Sequence, residues 1–338
     1  MFQSPARLAT SIAPSAHRLS RRVASALLLV TSIPASVYGQ AAVDPNVAPR
    51  AAALGRSGER QMAIDLLGRY LATAPDDGSA WFQLGRFYLL DARDWHLQGH
   101  RGDPDGVLYL DFAATAFDQA VRLSTDSGAV FRGLAELERS ILVMEDSGWS
   151  VAEAARLQVD PPEVPSFIPE LGANLISSCP AGGVLLIGSD LEALSVWYDN
   201  PDLRSREILP IRPDRYVTDS LYRRRMAEAM GLDPRLPVRT ALADLAGRRP
   251  LCLSPSADVA AAPPITWTPF RLARVSQSVP PGPEALSMTE LLQAMRQEGS
   301  VWVRDVRAVY DSAARYNAML CTSFLLVFGD APPPACRP

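Results

Sequence analysis

Two patterns of apolar and polar residues divide the chain near residue 160. From residue 44 onward apolar positions recur three and four apart, which predicts a series of amphipathic helices. The stretch DPPEVPSFIPE (Asp160–Glu170) is proline-rich and reads as an extended linker. Beyond it the period changes. Val184–Ile187 is a continuous apolar run that predicts a buried strand, and Leu191–Tyr198 predicts a helix. Glu207–Ile211 predicts a second strand, which Pro210 places near a sheet edge. Ser220–Met230 reads as an arginine-rich helix, Leu251–Leu253 as a third short strand, and the alternating Phe270–Val275 as a fourth. SMTELLQAMRQ and VRDVRAVYDSAARYNAMLCTSFLLVFGD return to helical spacing. The expected fold is therefore α plus α/β. Helical hairpins occupy 41–159, a linker 160–170, and a small, mostly parallel α/β sheet domain with a helical C-terminal tail 171–338.

The helical part has an internal period of about 34 residues. In SAWFQLGRFYLL, Trp81, Leu84, Gly85 and Tyr88 have the spacing W-x2-L-G-x2-Y. Upstream, Ala63, Leu67 and Tyr70 lead to Pro75. Downstream, Ala113, Phe117 and Ala120 repeat that second-helix pattern, and Phe131, Leu134 and Ala135 open a further unit. Small residues let paired helices approach, and large ones fill the gaps between neighbouring units. Residues 44 to 145 thus resemble tetratricopeptide-repeat proteins. That resemblance implies a scaffold holding a protein or peptide partner in a concave groove rather than a catalyst. The alternative is that these helices only pack against the second half. One departure is an insertion, DARDWHLQGHRGDPDGVLYLD, where the family has a tight turn. It carries His96 and His100 beside Asp94, Asp103 and Asp105, a conceivable metal-ligand set. Gly99 and the GDPDG turn speak against one rigid helix presenting both rings, so a solvated loop without metal is expected.

Charge and composition narrow the function classes. The first forty residues contain no acid. Arg7, Arg18, Arg21 and Arg22 precede the apolar run VASALLLVTSI, then Pro34 and small residues. That order is the one of a secretory signal peptide cleaved near residue 40, and it implies an extracytoplasmic, periplasmic or secreted protein. A retained anchor is the second reading. The apolar run is too short for a comfortable membrane span of roughly 20 residues. Removing four arginines and no acids takes the formal charge of −4 to −8, which argues against a nucleic-acid partner. All 33 basic residues are arginine, which fits a GC-rich bacterial genome. Without lysine there is no Walker-type phosphate lysine, no Schiff base and no Ser-Lys dyad. The four cysteines are too widely spaced for CxxC chemistry and suit structural disulfides in an exported protein. Cys321 and Cys336 flank a short proline-rich loop and are expected to pair. Cys179 and Cys252 stand beside neighbouring strand candidates and form the second expected pair.

The candidate chemistry lies in GGVLLIGSDLEALSVWYDNP, where a strand runs into Gly188, Ser189 and Asp190. Residues 175 to 330 are similar to the soluble C-terminal region of the bacterial protein O-mannosyltransferase-like family of membrane proteins. In that region a strand ends in Gly-Asp-x-Asp before an apolar helix ending in Trp-Tyr. Here Ser189 replaces the glycine, Asp190 keeps the first acid, Glu192 replaces the second, and Trp197-Tyr198 are retained. REILPIRPD, the helix containing Tyr222, RRPLCLS and the terminal helix ending in Gly329-Asp330 follow in order. The family's membrane helices are missing, so the resemblance implies an extracytoplasmic accessory domain with a possible link to glycan pathways.

No histidine follows His100, which excludes Ser-His and Cys-His pairs within the second half. Asp190 and Glu192 could hold a cation or serve acid-base chemistry. Ser189 and Glu192 also form S-x-x-E, a capping box, and Asp190 suits a helix dipole. Arg212 and Arg215, within a run of arginines, could contact phosphate or a carboxylated sugar, or simply form a solvated face. The favoured expectation is an exported protein-binding scaffold with a non-catalytic α/β part and no cofactor. The alternative is an enzyme, or enzyme subunit, of surface glycan assembly working at the Asp190/Glu192 corner.

Overall fold

The computed structural model describes residues 44–98, 104–156, 163–197, 201–258, 262–277, 286–297, 300–328 and 333–337. The expected leader, residues 160–162 of the linker, His100, Tyr198, Gly329 and Asp330 lie outside the described residues.

Six helices come first: α1 (Val47–Arg56), α2 (Arg60–Leu71), α3 (Gly78–Leu97), α4 (Pro104–Arg122), α5 (Asp126–Ser147) and α6 (Trp149–Arg156). Each packs against the next. Asp77 caps α3 by accepting from the backbone N–H groups of Ser79 and Ala80, both at 3.0 Å, and its other oxygen receives the Tyr70 hydroxyl at 3.0 Å. Trp81 Nε1 donates to the Pro75 carbonyl at 2.7 Å and closes the preceding turn. Gly85 is a close-approach position: a Cβ there would lie 2.6 Å from the Phe117 ring. Leu84 is buried, and Ala113, Phe117 and Ala120 are completely so. Tyr88 lies against Tyr109 and Phe112 of α4. Gly85 and Tyr88 therefore meet α4, whereas Trp81 and Leu84 pack with α1 and α2.

The insertion departs from expectation. Helix α3 does not stop at a loop after Tyr88 but continues to Leu97. Leu89, Ala92 and His96 are spaced three and four apart and all face the interior, so the buried stripe of the helix runs on through the insertion.

Helix α7 (Phe167–Ser177) leads into β1 (Val184–Leu186), α8 (Asp190–Trp197), α9 (Pro201–Ser205) and β2 (Leu209–Ile211). Helices α10 (Pro213–Thr218), α11 (Ser220–Met230) and α12 (Val238–Ala246) precede β3 (Leu251–Leu253). The five-stranded sheet has the order β2-β1-β3-β5-β4. β1 pairs in parallel with β2 and β3, and β2 is an edge strand, as Pro210 predicts. The sheet is mixed rather than mostly parallel. The run read as one strand over 270–275 spans the end of one strand, a turn and a second strand: β4 (Thr268–Phe270) and β5 (Ala273–Val275) pair antiparallel, and β5 pairs antiparallel with β3. Only Arg271 and Leu272 separate the two strands, and so short a connection permits no parallel crossover.

The tail consists of α13 (Thr289–Arg296), α14 (Val301–Ala314), α15 (Met319–Phe328) and a terminal 3-10 turn (Pro334–Cys336). Glu170 of α7 pins it by accepting from the N–H groups of Glu290 and Leu291 at 3.1 and 3.0 Å. Both expected disulfides form, Cys179–Cys252 and Cys321–Cys336. The first joins the segment after α7 to β3; the second ties the terminal turn to α15. One apolar cluster extends from Leu89 through the sheet to Phe328, and a smaller one holds α1, α2 and the start of α3. Phe131 of α5 contacts Trp302 of α14 at 6.0 Å between ring centroids, so the helical and sheet regions share a core. None of the described helices is long and apolar enough to cross a membrane.

Candidate functional site

The chain leaves β1 for β2 on one side and reaches β3 on the other. The carboxyl ends of β1 and β3 therefore form the crevice where open α/β sheets gather ligands. Here the chain fills that crevice itself. Glu192, fully buried, accepts from the Gly188 N–H at 3.2 Å, the Ser254 hydroxyl at 2.7 Å and the Ser256 N–H at 3.0 Å. Two of these donors are backbone amides of the kind that would otherwise bind an anion. The loop after β3 presses on the corner, since a Cβ at Gly188 would lie 2.1 Å from the Ser256 carbonyl carbon. Ser189 caps α8 as the sequence predicts, its Oγ accepting from the Glu192 N–H at 3.2 Å. The return half of the capping box goes elsewhere: the Glu192 carboxylate reaches past Ser189 to Gly188 and across to the β3 loop.

Asp190 does more than face a helix dipole. Its Oδ1 accepts from Arg212 Nη1 at 2.6 Å and its Oδ2 from Arg93 Nη1 at 3.0 Å. Arg212 also grips Asp214 with Nε at 3.1 Å and Nη2 at 2.8 Å. Arg93 continues to Glu138 at 2.6 Å, and Glu138 is held from its other side by Arg215. Three arginines and three carboxylates thus alternate along one network joining α3 and α5 to α8 and α10. Burial acts to raise the Asp190 pKa, but Arg93 and Arg212 outweigh it and hold the carboxyl below its ordinary value. Burial likewise opposes ionisation of Glu138, and Arg215 with Arg93 reverse that effect. Arg212 and Arg215 are thus largely buried and engaged by carboxylates of the chain itself, which is not the arrangement of a solvated arginine face.

Below Arg212, the cavity among Ile141, Met144, Trp149, Trp197, Tyr222 and Met226 measures about 30 Å³. That is room for about one water, far from the several hundred Å³ of a typical ligand pocket. Trp197 packs edge-on against Trp149 at 4.8 Å between centroids, and is thus a packing residue in this structure.

His96 is not on a solvated loop. It sits in the last turn of α3, buried, with Nε2 2.6 Å from Glu145 Oε2 and 3.2 Å from Asp219 Oδ2. Burial pushes its pKa down, but Asp219 and Glu145 more than offset this and raise it to about 9. Asp219 also caps α11, its Oδ1 accepting from the N–H groups of Leu221 and Tyr222.

Sequence reasoning singled out Ser189, Asp190, Glu192, Arg212, Arg215 and His96 as candidates but not the partners Arg93, Glu138, Glu145 and Asp219 that the fold brings to them. The one available local signal was Asp219-Ser220 at the start of a predicted helix, an N-cap pattern. The other partners come from helices distant in the chain. No family model, curated protein or solved structure matches this chain.

Proposed function

We propose that the protein is an exported binding scaffold whose helical hairpins engage a protein or peptide and whose α/β part is non-catalytic. The observation that carries this reading is the Glu192 carboxylate lodged in the sheet crevice, on the donors a substrate would need. Asp190, the other candidate acid, is neutralised by two arginines, which leaves little of the chemistry a glycan-assembly enzyme would require. The two disulfides suit an oxidising, extracytoplasmic compartment.

The groove reading needs one adjustment. Much of α5 is covered by the chain's own α/β part, through Phe131 against Trp302 and Glu138 against Arg215. The surface that supports partner binding is instead the outer side of α3 and α4. There Trp95, Tyr109, Tyr88 and Phe112 follow one another in ring contact, and Leu97, Val107, Leu108 and Phe112 are exposed. Exposed aromatic and aliphatic side chains held on rigid helices are typical binding anchors. Cross-linking capture from a cell-envelope extract tests the proposal. Leu108→Arg with Phe112→Arg should abolish capture of the specific partner, while Asp190→Asn should leave it intact. Turnover of a nucleotide- or lipid-linked sugar that disappears in Asp190→Asn would overturn it.

A further inference from the structure

We propose that His96, Glu145 and Asp219 form a site for one divalent transition-metal ion, of the zinc or manganese type, which cross-links α3, α5 and the start of α11. The three residues come from segments far apart in the chain, yet one ligand atom from each lies within 4.8 Å of the other two. All three side chains are buried. One imidazole with two carboxylates is a donor set suited to zinc or manganese; calcium and magnesium favour oxygen alone.

The geometry at His96 points the same way. Nε2 lies 2.6 and 3.2 Å from carboxylate oxygens but makes no hydrogen bond of normal geometry to either. The three atoms converge on a shared space instead of pairing in line. Ligand atoms bound to one ion at about 2.0–2.2 Å stand roughly 3–3.6 Å apart, so the Asp219 oxygen is already at a fitting separation from Nε2 and the Glu145 oxygen would have to withdraw by less than about 1 Å. Asp219 is already oriented as a ligand, because the α11 cap anchors Oδ1 and turns Oδ2 toward His96. The Glu145 main chain is held too, its carbonyl accepting from Arg225 Nε at 2.8 Å. The ion would replace the proton on Nε2 and join the helical layer to the α/β part at a point separate from the Glu192 crevice.

The test uses the full mature chain without a histidine tag, stripped with EDTA and then loaded with Zn²⁺ or Mn²⁺. After gel filtration about one equivalent of metal should remain, and saturating metal should raise Tm by roughly 5–10 °C. Glu145→Gln and Asp219→Asn should lose both effects; asparagine preserves the cap, so the second variant isolates the ligand role. Oxidation by Cu²⁺ and ascorbate, mapped by mass spectrometry, locates the site without any substitution and should modify His96. Less than about 0.2 equivalents retained by the wild type, with Tm unmoved by either metal, would overturn the proposal. Equal metal retention by both variants, or oxidation at His100 in place of His96, would overturn it as well.

Discussion

Glu192 and Ser254 stand 62 residues apart in the chain, and the Ser254 hydroxyl donates to the Glu192 carboxylate at 2.7 Å inside the core. This contact, with the amides of Gly188 and Ser256, locks the ends of β1 and β3 together. Removing the carboxylate would leave the buried Ser254 hydroxyl without its acceptor, at about 1–3 kcal/mol, and would take one bond from each of the partly exposed Gly188 and Ser256 amides. Glu192→Ala should therefore cost about 2–3 kcal/mol in a urea melt. Ser189→Ala, which loses only the cap, should cost about 1 kcal/mol. A neutral Glu192→Ala would mean that the crevice is open.

Asp190 offers a separate discrimination. A carboxylate between two arginines should lose stability when it becomes an amide, but by only about 1 kcal/mol, because the side chain is 37% exposed. A double-mutant cycle of Asp190→Asn with Arg212→Gln should show coupling of that size. If Asp190→Asn instead stabilises the protein, the acids were crowded around an absent cation and the ion-pair reading fails.

Acid should expose the same network, together with the separate Asp77 cap of α3. Asp77, Glu138 and Asp190 all have folded pKa values below their ordinary ones. Their contribution is complete above the unfolded carboxylate values of about 4 and is lost as pH falls through the lower folded values. The urea midpoint should therefore drop steeply below about pH 4. Glu138→Gln should be about 3 kcal/mol less stable at pH 7 and show a shallower acid limb. A parallel limb in the variant would remove Glu138 from the account.

The two disulfides should differ in weight. Cys179–Cys252 closes a separation of 73 residues and Cys321–Cys336 one of 15. The chain-entropy relation assigns them about 4 and 3 kcal/mol. Paired alanine substitutions followed by denaturant melts should rank them in that order. The reverse ranking would show that local packing, not loop closure, sets their value.

At the α3–α4 interface, Gly85→Leu should be destabilising by about 1–3 kcal/mol, since its first carbon already meets the Phe117 ring. Phe117→Ala in the same chain should recover part of the loss by opening space. No recovery would indicate that the helices separate there in solution.

The sequence alone determined what depends on local order. Hydrophobic period placed most of the long helices and the three parallel strands but missed α7, α9, α10 and α12, and the first turn of α7 lies inside the stretch read as an extended linker. Small residues marked the α3–α4 approach, Pro210 marked an edge strand, and the places of the cysteines indicated both disulfides. The local cap at Ser189 was equally legible, because a helix N-terminus is satisfied within a few residues. The tertiary structure decided everything that joins distant segments. The direction of β4 and β5 depended on a two-residue turn hidden in an alternating run. The role of Asp190 depended on Arg93, 97 residues away, and that of Glu192 on a loop 62 to 64 residues on. His96 read as a loop residue because glycine and aspartate follow it, yet buried contacts carried its helix onward. Charged side chains take their meaning from the partners that burial brings within 3 Å, and one-dimensional spacing does not encode those partners.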